Sequence, residues 1–265
     1  MNSEHFTAGT GKPAVVITRV AQTQWHAADG DRVVGRGDVF RRPDGRVFLS
    51  IDSWHAAVFD QLADAILAEL PTPLYTVVDE ADLDLTRSWE RAGFTTRRRE
   101  WEYLVPTDPQ VTGLDAPLAP PGVTILAAGD AEQGPLRAVD TAIRDEVEAA
   151  VGWQEMPAEV LPRTGGNTLL DPSKYAVAAQ SDRYVGLVRV VRVTRQPRIG
   201  LIAVRAGQQR RGIARALLAH ALGALHRYGI DTAYTEVNES NEAALALFEG
   251  IGARRASSNL ELVLR

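Results

Sequence analysis

Apolar positions along the chain fall into two periods. Leu136, Val139, Ile143 and Val147 recur three or four residues apart within residues 131–150, a spacing that predicts an amphipathic helix. Ile213, Leu217, Leu218, Ala221, Leu222 and Leu225 predict a second helix, ended near Gly229. Ala244, Leu247, Phe248 and Ile251 predict a third, ended at Gly252. Residues 123–126, 175–179, 184–193 and 199–204 are rich in Val, Ile and Tyr and read as strands. The expected order from residue 122 onward is β-α-α-β-β-β-α-β-α-β. Earlier in the chain, strands are expected at 15–20, 33–40 and 47–51.

Sliding the pattern along itself exposes a repeat. Tyr75-Thr76-Val77-Val78-Asp79-Glu80, Trp89-Glu90-Arg91-Ala92-Gly93-Phe94 and Glu102-Tyr103-Leu104-Val105 align without gaps on a later segment. Their partners are Tyr234-Thr235-Glu236-Val237-Asn238-Glu239, Phe248-Glu249-Gly250-Ile251-Gly252-Ala253 and Glu261-Leu262-Val263-Leu264, at a constant offset of 159 residues. Pro106, Pro109, Pro117, Pro120 and Pro121 crowd the stretch between the copies, where neither a long helix nor a central strand can continue. Two related domains are expected: a partial copy over 1–106, a proline-rich linker over 107–121, and a full copy over 122–265.

Gln209-Arg210-Arg211-Gly212-Ile213-Ala214 joins the strand ending at Val204 to the helical run beginning near Arg215. A turn of this kind leaves the first helix amides pointing outward, and the helix dipole adds partial positive charge there, so an anion is the expected guest. Gly212 permits close approach of the backbone, Ala214 does not block it, and Arg210, Arg211 and Arg215 can neutralise phosphate. An ordinary surface turn is the competing reading of these six residues alone. Other phosphate loops fail: Lys12 follows Gly11 but precedes Pro13, and a dinucleotide pattern begun at Gly35-Arg36-Gly37 breaks at Phe40.

The flanks carry a resemblance. Val204-x-Ala206-x-x-Gln209-x-x-Gly212-x-Ala214 resembles the acetyl-CoA loop of the GNAT superfamily of N-acetyltransferases. The segment Glu236-Val237-Asn238-Glu239-Ser240-Asn241 through Leu247-Phe248-Glu249-Gly250-Ile251-Gly252 resembles that family's second signature. The resemblance covers about residues 122–265. It implies an α/β (α+β) fold of two tandem GNAT-like domains, each a twisted mixed β-sheet flanked by helices, with acetyl-CoA as acyl donor and no metal. It also implies donation from backbone amides near Ile202, Ala203 and Val204 to the thioester carbonyl. Glu236 lies where the ribosomal-protein alanine acetyltransferases carry a general base, and a half-buried carboxylate there can have its pKa raised. A solvated strand-edge carboxylate is the alternative. Asn241 contacts the cofactor arm or simply caps the last helix. Phe248 departs from the family's tyrosine and cannot protonate a leaving thiolate, which makes Tyr234, on the same strand face as Glu236, a candidate in its place or else a core residue.

The partial copy lacks the loop. Asp52-Ser53-Trp54-His55 follows residues 47–51 with neither glycine nor arginine, Val77 stands where Glu236 does, and the gap between the strands at 15–20 and 33–40 is too short for the family's two helices. Only the C-terminal domain is expected to be catalytic, with the first acting as scaffold or as a wall of the acceptor site. Acidic Asp145, Glu146 and Glu148, with Trp153 of the segment 151–157, would favour a cationic amine there, or else form a solvated helix face. The expected acceptor is a small-molecule amine or peptide N-terminus.

Composition mainly excludes. The absence of cysteine removes disulfides, thiolate zinc sites and an acyl-cysteine route. The five histidines are scattered, without metal-ligand spacing. Only Lys12 and Lys174 are lysines among 29 basic residues, but the net charge of −5 and the lack of a basic tract argue against nucleic acid. The first residues lack the features of a signal peptide and no apolar run reaches membrane-spanning length, so a cytoplasmic protein is expected. A catalytically silent acyl-CoA-binding or interaction module, or an enzyme using a longer acyl-CoA, is the alternative function.

Overall fold

The computed structural model describes residues 15–42, 44–115, 119–152, 170–192 and 196–265. The expected second helix of the C-terminal copy, Trp153 to Pro157 of the acceptor segment, and Ala116 to Leu118 of the linker lie outside them. Contacts divide the chain into two compact units, one of Met1–Val78, Asp82–Arg97 and Glu261–Arg265, the other of Asp79–Ala81 and Arg98–Leu260.

The first unit starts with the antiparallel strands β1 (Val16–Ala21), β2 (Gln24–Asp29), β3 (Arg32–Arg41) and β4 (Val47–Ser53). Strand β2 occupies the gap expected to be merely short. Its Trp25 and Ala27 are buried while Gln24, His26 and Ala28 are not, an alternation that two apolar side chains signal weakly. Helix α1 (Ala56–Leu67) then buries Val58, Phe59, Leu62, Ala63 and Ile66, and β5 (Leu74–Asp79) returns parallel to β4. Gly35 and Gly37 lie under this helix. A Cβ on Gly35 would stand 2.8 Å from Leu62 and 2.9 Å from Val58, and one on Gly37 would collide with Ile66. Close packing, rather than a nucleotide, accounts for that glycine pair. Helix α2 (Leu83–Arg91) follows, its Trp89 wedged edge-on between Phe59 and Phe94 at 5.0 and 4.8 Å.

The second unit takes residues 98–106 of β6 (Thr95–Pro106), although they precede the proline-rich stretch. That stretch is counted into the same unit. Pro109 opens the one-turn α3 (Pro109–Thr112), where its missing N–H costs nothing, and Thr107, Thr112 and Leu114 are buried. There follow β7 (Val123–Leu126), α4 (Gln133–Ala150), β8 (Tyr175–Gln180), β9 (Arg183–Arg192), β10 (Pro197–Val204), α5 (Ile213–Arg227), β11 (Thr232–Asn238), α6 (Glu242–Glu249) and β12 (Arg254–Leu264). Within this unit the strand order is β12-β6-β11-β10-β9-β8-β7, with β10 and β11 parallel. Two cores sandwich the sheet: Tyr175, Val177 and Leu187 meet Leu136, Val139 and Ile143 of α4, whereas Ala176, Ala178 and Val188 meet Ile213, Leu217 and Leu222 of α5. Burial on both faces explains why β8 and β9 read as continuous apolar runs.

The 159-residue offset recurs in the elements. Helices α2 and α6 begin at Leu83 and Glu242, and strands β6 and β12 at Thr95 and Arg254. Asp82 accepts from the Leu85 amide at 2.9 Å and Asn241 from the Ala244 amide at 3.1 Å, the same cap in each copy. Thr76 donates to the Leu49 carbonyl and Thr235 to that of Ile199, each at 2.9 Å and each buried.

Candidate functional site

The parallel ladder between β10 and β11 is limited to Arg198 opposite Tyr234, with the Thr235 hydroxyl bridging to Ile199 just beyond. From there the two strands part. After a bulge at Gly200, residues 201–204 of β10 stay paired with β9 on one side, and among the described residues no strand pairs with their other edge. Ile202 and Val204 direct their side chains to the α5 core and Leu201 and Ala203 to the α4 core, so the open edge offers backbone groups alone.

Val204 leads into Arg205 to Gly212. A 3-10 turn spans Ala206–Gln208, Arg210 has a positive φ of 62°, and Gly212 reaches φ 86°. Gly212 is the N-cap of α5 and offers no side chain, and the first turn holds no acidic residue. The leading amides of α5 therefore face outward beside exposed Arg210, Arg211 and Arg215. A Cβ on Gly212 would meet only Pro120, at 4.0 Å, so a ligand can reach the backbone there. Gln209 folds back, its Nε2 donating to the Val204 carbonyl at 3.2 Å, and Arg211 donates to the side-chain oxygen of Gln208. In the first unit β4 and α1 are separated by Trp54 and His55 alone. Two residues cannot form such a cradle.

Glu146 on α4 anchors the start of the loop. Its Oε1 accepts from Arg205 Nε at 2.6 Å and its Oε2 from the Ala206 amide at 2.8 Å. This engagement takes Glu146 out of the acidic face considered for acceptor binding, while Asp145 and Glu148 are exposed. Burial works to raise the Glu146 pKa, but the Ala206 amide and the Arg205 guanidinium outweigh it and hold the carboxyl below its ordinary range. A depressed native pKa gives stabilisation that is complete above the ordinary carboxylate value and lost as pH falls through the native one. The Ala206 amide resonance, followed by NMR, is expected to titrate below the ordinary glutamate range; titration at or above it would contradict the anchor.

Strand β11 alternates through the point where it parts from β10. Ala233, Thr235 and Val237 are buried, and Tyr234 and Glu236 share the opposite face. Glu236 is paired with Arg198 of β10, the two side chains 24% and 19% exposed, and the Arg198 guanidinium lies 5.8 Å from the Tyr234 ring centre. Directly across the antiparallel ladder, Glu102 of β6 stands opposite Glu236 and Leu104 opposite Tyr234. Glu102, Leu104, Gln196, Tyr234, Glu236 and Ala256 line a pocket of about 320 Å³.

Asn241 caps α6, and Phe248 is buried, its ring 6.4 Å from that of Tyr103. The Tyr103 hydroxyl donates to Glu249 at 2.8 Å and accepts from Arg255 at 2.9 Å. Burial first and Glu249 second push its pKa up, against the pull of Arg255.

The loop residues, Glu236 and Tyr234 thus fall on adjoining elements, whereas Arg198, Glu102 and the anchoring role of Glu146 were missed. Charge complementarity between neighbouring strands was the available signal for Arg198. None existed for Glu102, which precedes the linker. Among the described residues no helix is long and apolar enough to cross a membrane.

Residues 147–261 match the family model described as an acetyltransferase (GNAT) domain. Over 56 residues the chain is 45% identical to the [ribosomal protein bS18]-alanine N-acetyltransferase of Escherichia coli (strain K12), a match covering 21% of this chain and 38% of that relative. A GCN5-related N-acetyltransferase from Sphaerobacter thermophilus superposes with a TM-score of 0.63 at 19% identity, over 93% of this chain and 82% of the other. A tandem GNAT protein from the clavulanic acid biosynthesis pathway gives 0.65 at 14%, over 95% and 83%. At these identities the structural likeness speaks to fold, a twisted mixed sheet with helices.

Proposed function

We propose, from the match of residues 147–261 to the acetyltransferase (GNAT) domain model, that the protein transfers the acetyl group of acetyl-CoA directly to a primary amine, through its C-terminal copy alone. The observation that carries this reading is the open edge of β10 running into the uncapped N-terminus of α5, with Glu236 on the strand that parts from it. A chain of backbone donors of this kind fits the pantetheine amides and pyrophosphate of a coenzyme A thioester. Bound there, acetyl-CoA supplies an activated carbonyl that a neutral amine attacks, a C–N bond replacing the C–S bond.

The chain's own groups have separable tasks. The amides of Ile213, Ala214 and Arg215 hold phosphate oxygens, with Arg210, Arg211 and Arg215 balancing charge. Backbone amides near Ile202, Ala203 and Val204 face the arm and the carbonyl. Glu236 takes the proton that the ammonium must lose, directly or through one water, and Arg198 fixes the direction of its carboxylate. Tyr234, on the same face and beside the point where β10 and β11 part, lines the acceptor side. Its hydroxyl is the candidate for returning a proton to the departing thiolate, which Phe248 cannot do. Asn241 serves as the cap that sets α6 against this site.

The first copy is a scaffold in this reading. The recurrence of caps, strand starts and buried threonine bonds at one offset supports descent from a common domain, and the two-residue connection at Trp54 and His55 supports loss of the coenzyme site. A silent acyl-CoA-binding module is the second reading, favoured by the buried Phe248 ring. Release of CoA thiol from acetyl-CoA with a broad amine panel separates the two: turnover with any amine well above hydrolysis is expected, and its absence alongside coenzyme binding would favour the silent module.

A further inference from the structure

We propose that Glu102 is a specificity-determining residue of the acceptor pocket, selecting amines that carry a second cationic group a few bonds from the one acetylated. The inference rests on the acetyl-transfer reading above and names its substrate class. Among the described residues, two charged side chains line the pocket, Glu236 and Glu102, and Arg198 reaches Glu236 from β10. Arg198 pairs with Glu236, and Glu102 adds a second carboxylate to the described lining. Its own partners are neutral. The Ser257 hydroxyl donates to Oε2, and Asn259 Nδ2 donates to Oε1 at 3.1 Å, both from β12. These donors hold the carboxylate in place without cancelling its charge.

The placement is fixed by register. Residues directly opposite in an antiparallel pair have Cβ atoms about 4.5–5.5 Å apart, so a ligand with one nitrogen at Glu236 meets Glu102 with a group a few bonds away. Leu104, Ala256 and the Tyr234 ring supply apolar surface for the intervening carbons. The pocket therefore offers a reacting end, a short apolar wall and an anionic end. A monoamine uses the first two; a diamine uses all three.

The test compares 1,4-diaminobutane with n-butylamine as acceptors, with acetyl-CoA as donor and the intact chain as enzyme. The wild type is expected to favour the diamine in kcat/KM by on the order of tenfold, the scale of one charge-assisted hydrogen bond at a half-buried site. Glu102→Gln is expected to bring the ratio toward unity through KM for the diamine, and Glu102→Asp to keep most of it. Equal efficiency of the two amines in the wild type would overturn this inference alone and leave acetyl transfer standing. That comparison decides the matter even if Glu102→Gln fails to fold. Failure to acetylate any amine would instead remove the reading beneath it.

Discussion

Replacing Gly212 with glutamate is expected to raise the dissociation constant for acetyl-CoA at least a hundredfold. Two effects act in the same direction. At φ 86° a residue with a Cβ is strained by about 1–2 kcal/mol, which tends to rotate the leading amides of α5 away from their common focus. The new carboxylate also sits at the positive end of that helix, where it caps the amides itself and repels a pyrophosphate. Arg210, Arg211 and Arg215 are exposed and screened, so they cannot restore the site. The measurement is the thermal shift produced by free CoA. A ligand at a hundred times its dissociation constant stabilises the native state by about 2.7 kcal/mol, and nearly all of that shift should vanish in the variant. A retained shift would move the coenzyme to another part of the molecule.

The second large effect is expected at Glu236. Glutamine keeps its length and can still accept from Arg198, but it cannot take a proton at neutral pH. A fall in kcat of about 10²–10⁴ follows from the ordinary contribution of a positioned base, with the thermal shift from CoA unchanged because the loop is untouched. That combination of lost turnover and retained binding separates a base from a structural residue. Equal turnover in the variant would remove Glu236 from the chemistry.

The limits of the sequence are best seen residue by residue. Helices α5 and α6 and strands β8 to β11 were legible because their apolar spacing is long and the punctuation at Gly229 and Gly252 is unambiguous; both glycines have positive φ. Strand β2 was not, since its two buried residues sit among Gln24, His26 and Asp29. At the candidate site, the turn into α5 was legible because a helix entered through a positive-φ residue calls for glycine there, whereas its guest rests on the resemblance. The environment of Glu236 was not. Arg198 lies far from it along the chain and meets it only through parallel pairing, and Glu102 arrives opposite it from before the proline-rich stretch, across a register that no local pattern encodes.

Residues 98–106 carry one more consequence. A gene trimmed to begin at the proline-rich stretch would keep both signatures and every loop residue, yet it would encode a sheet lacking the interior strand β6, between β12 and β11. The amides and carbonyls of β11 from Thr232 to Asn238 would be stripped of their neighbours, a bare edge of the sort that recruits foreign strands. The proline-rich stretch and the edge of the folded unit do not coincide in this chain, so the smallest piece expected to fold around the loop at Gln209–Ala214 is larger than the segment 122–265 that carries the resemblance.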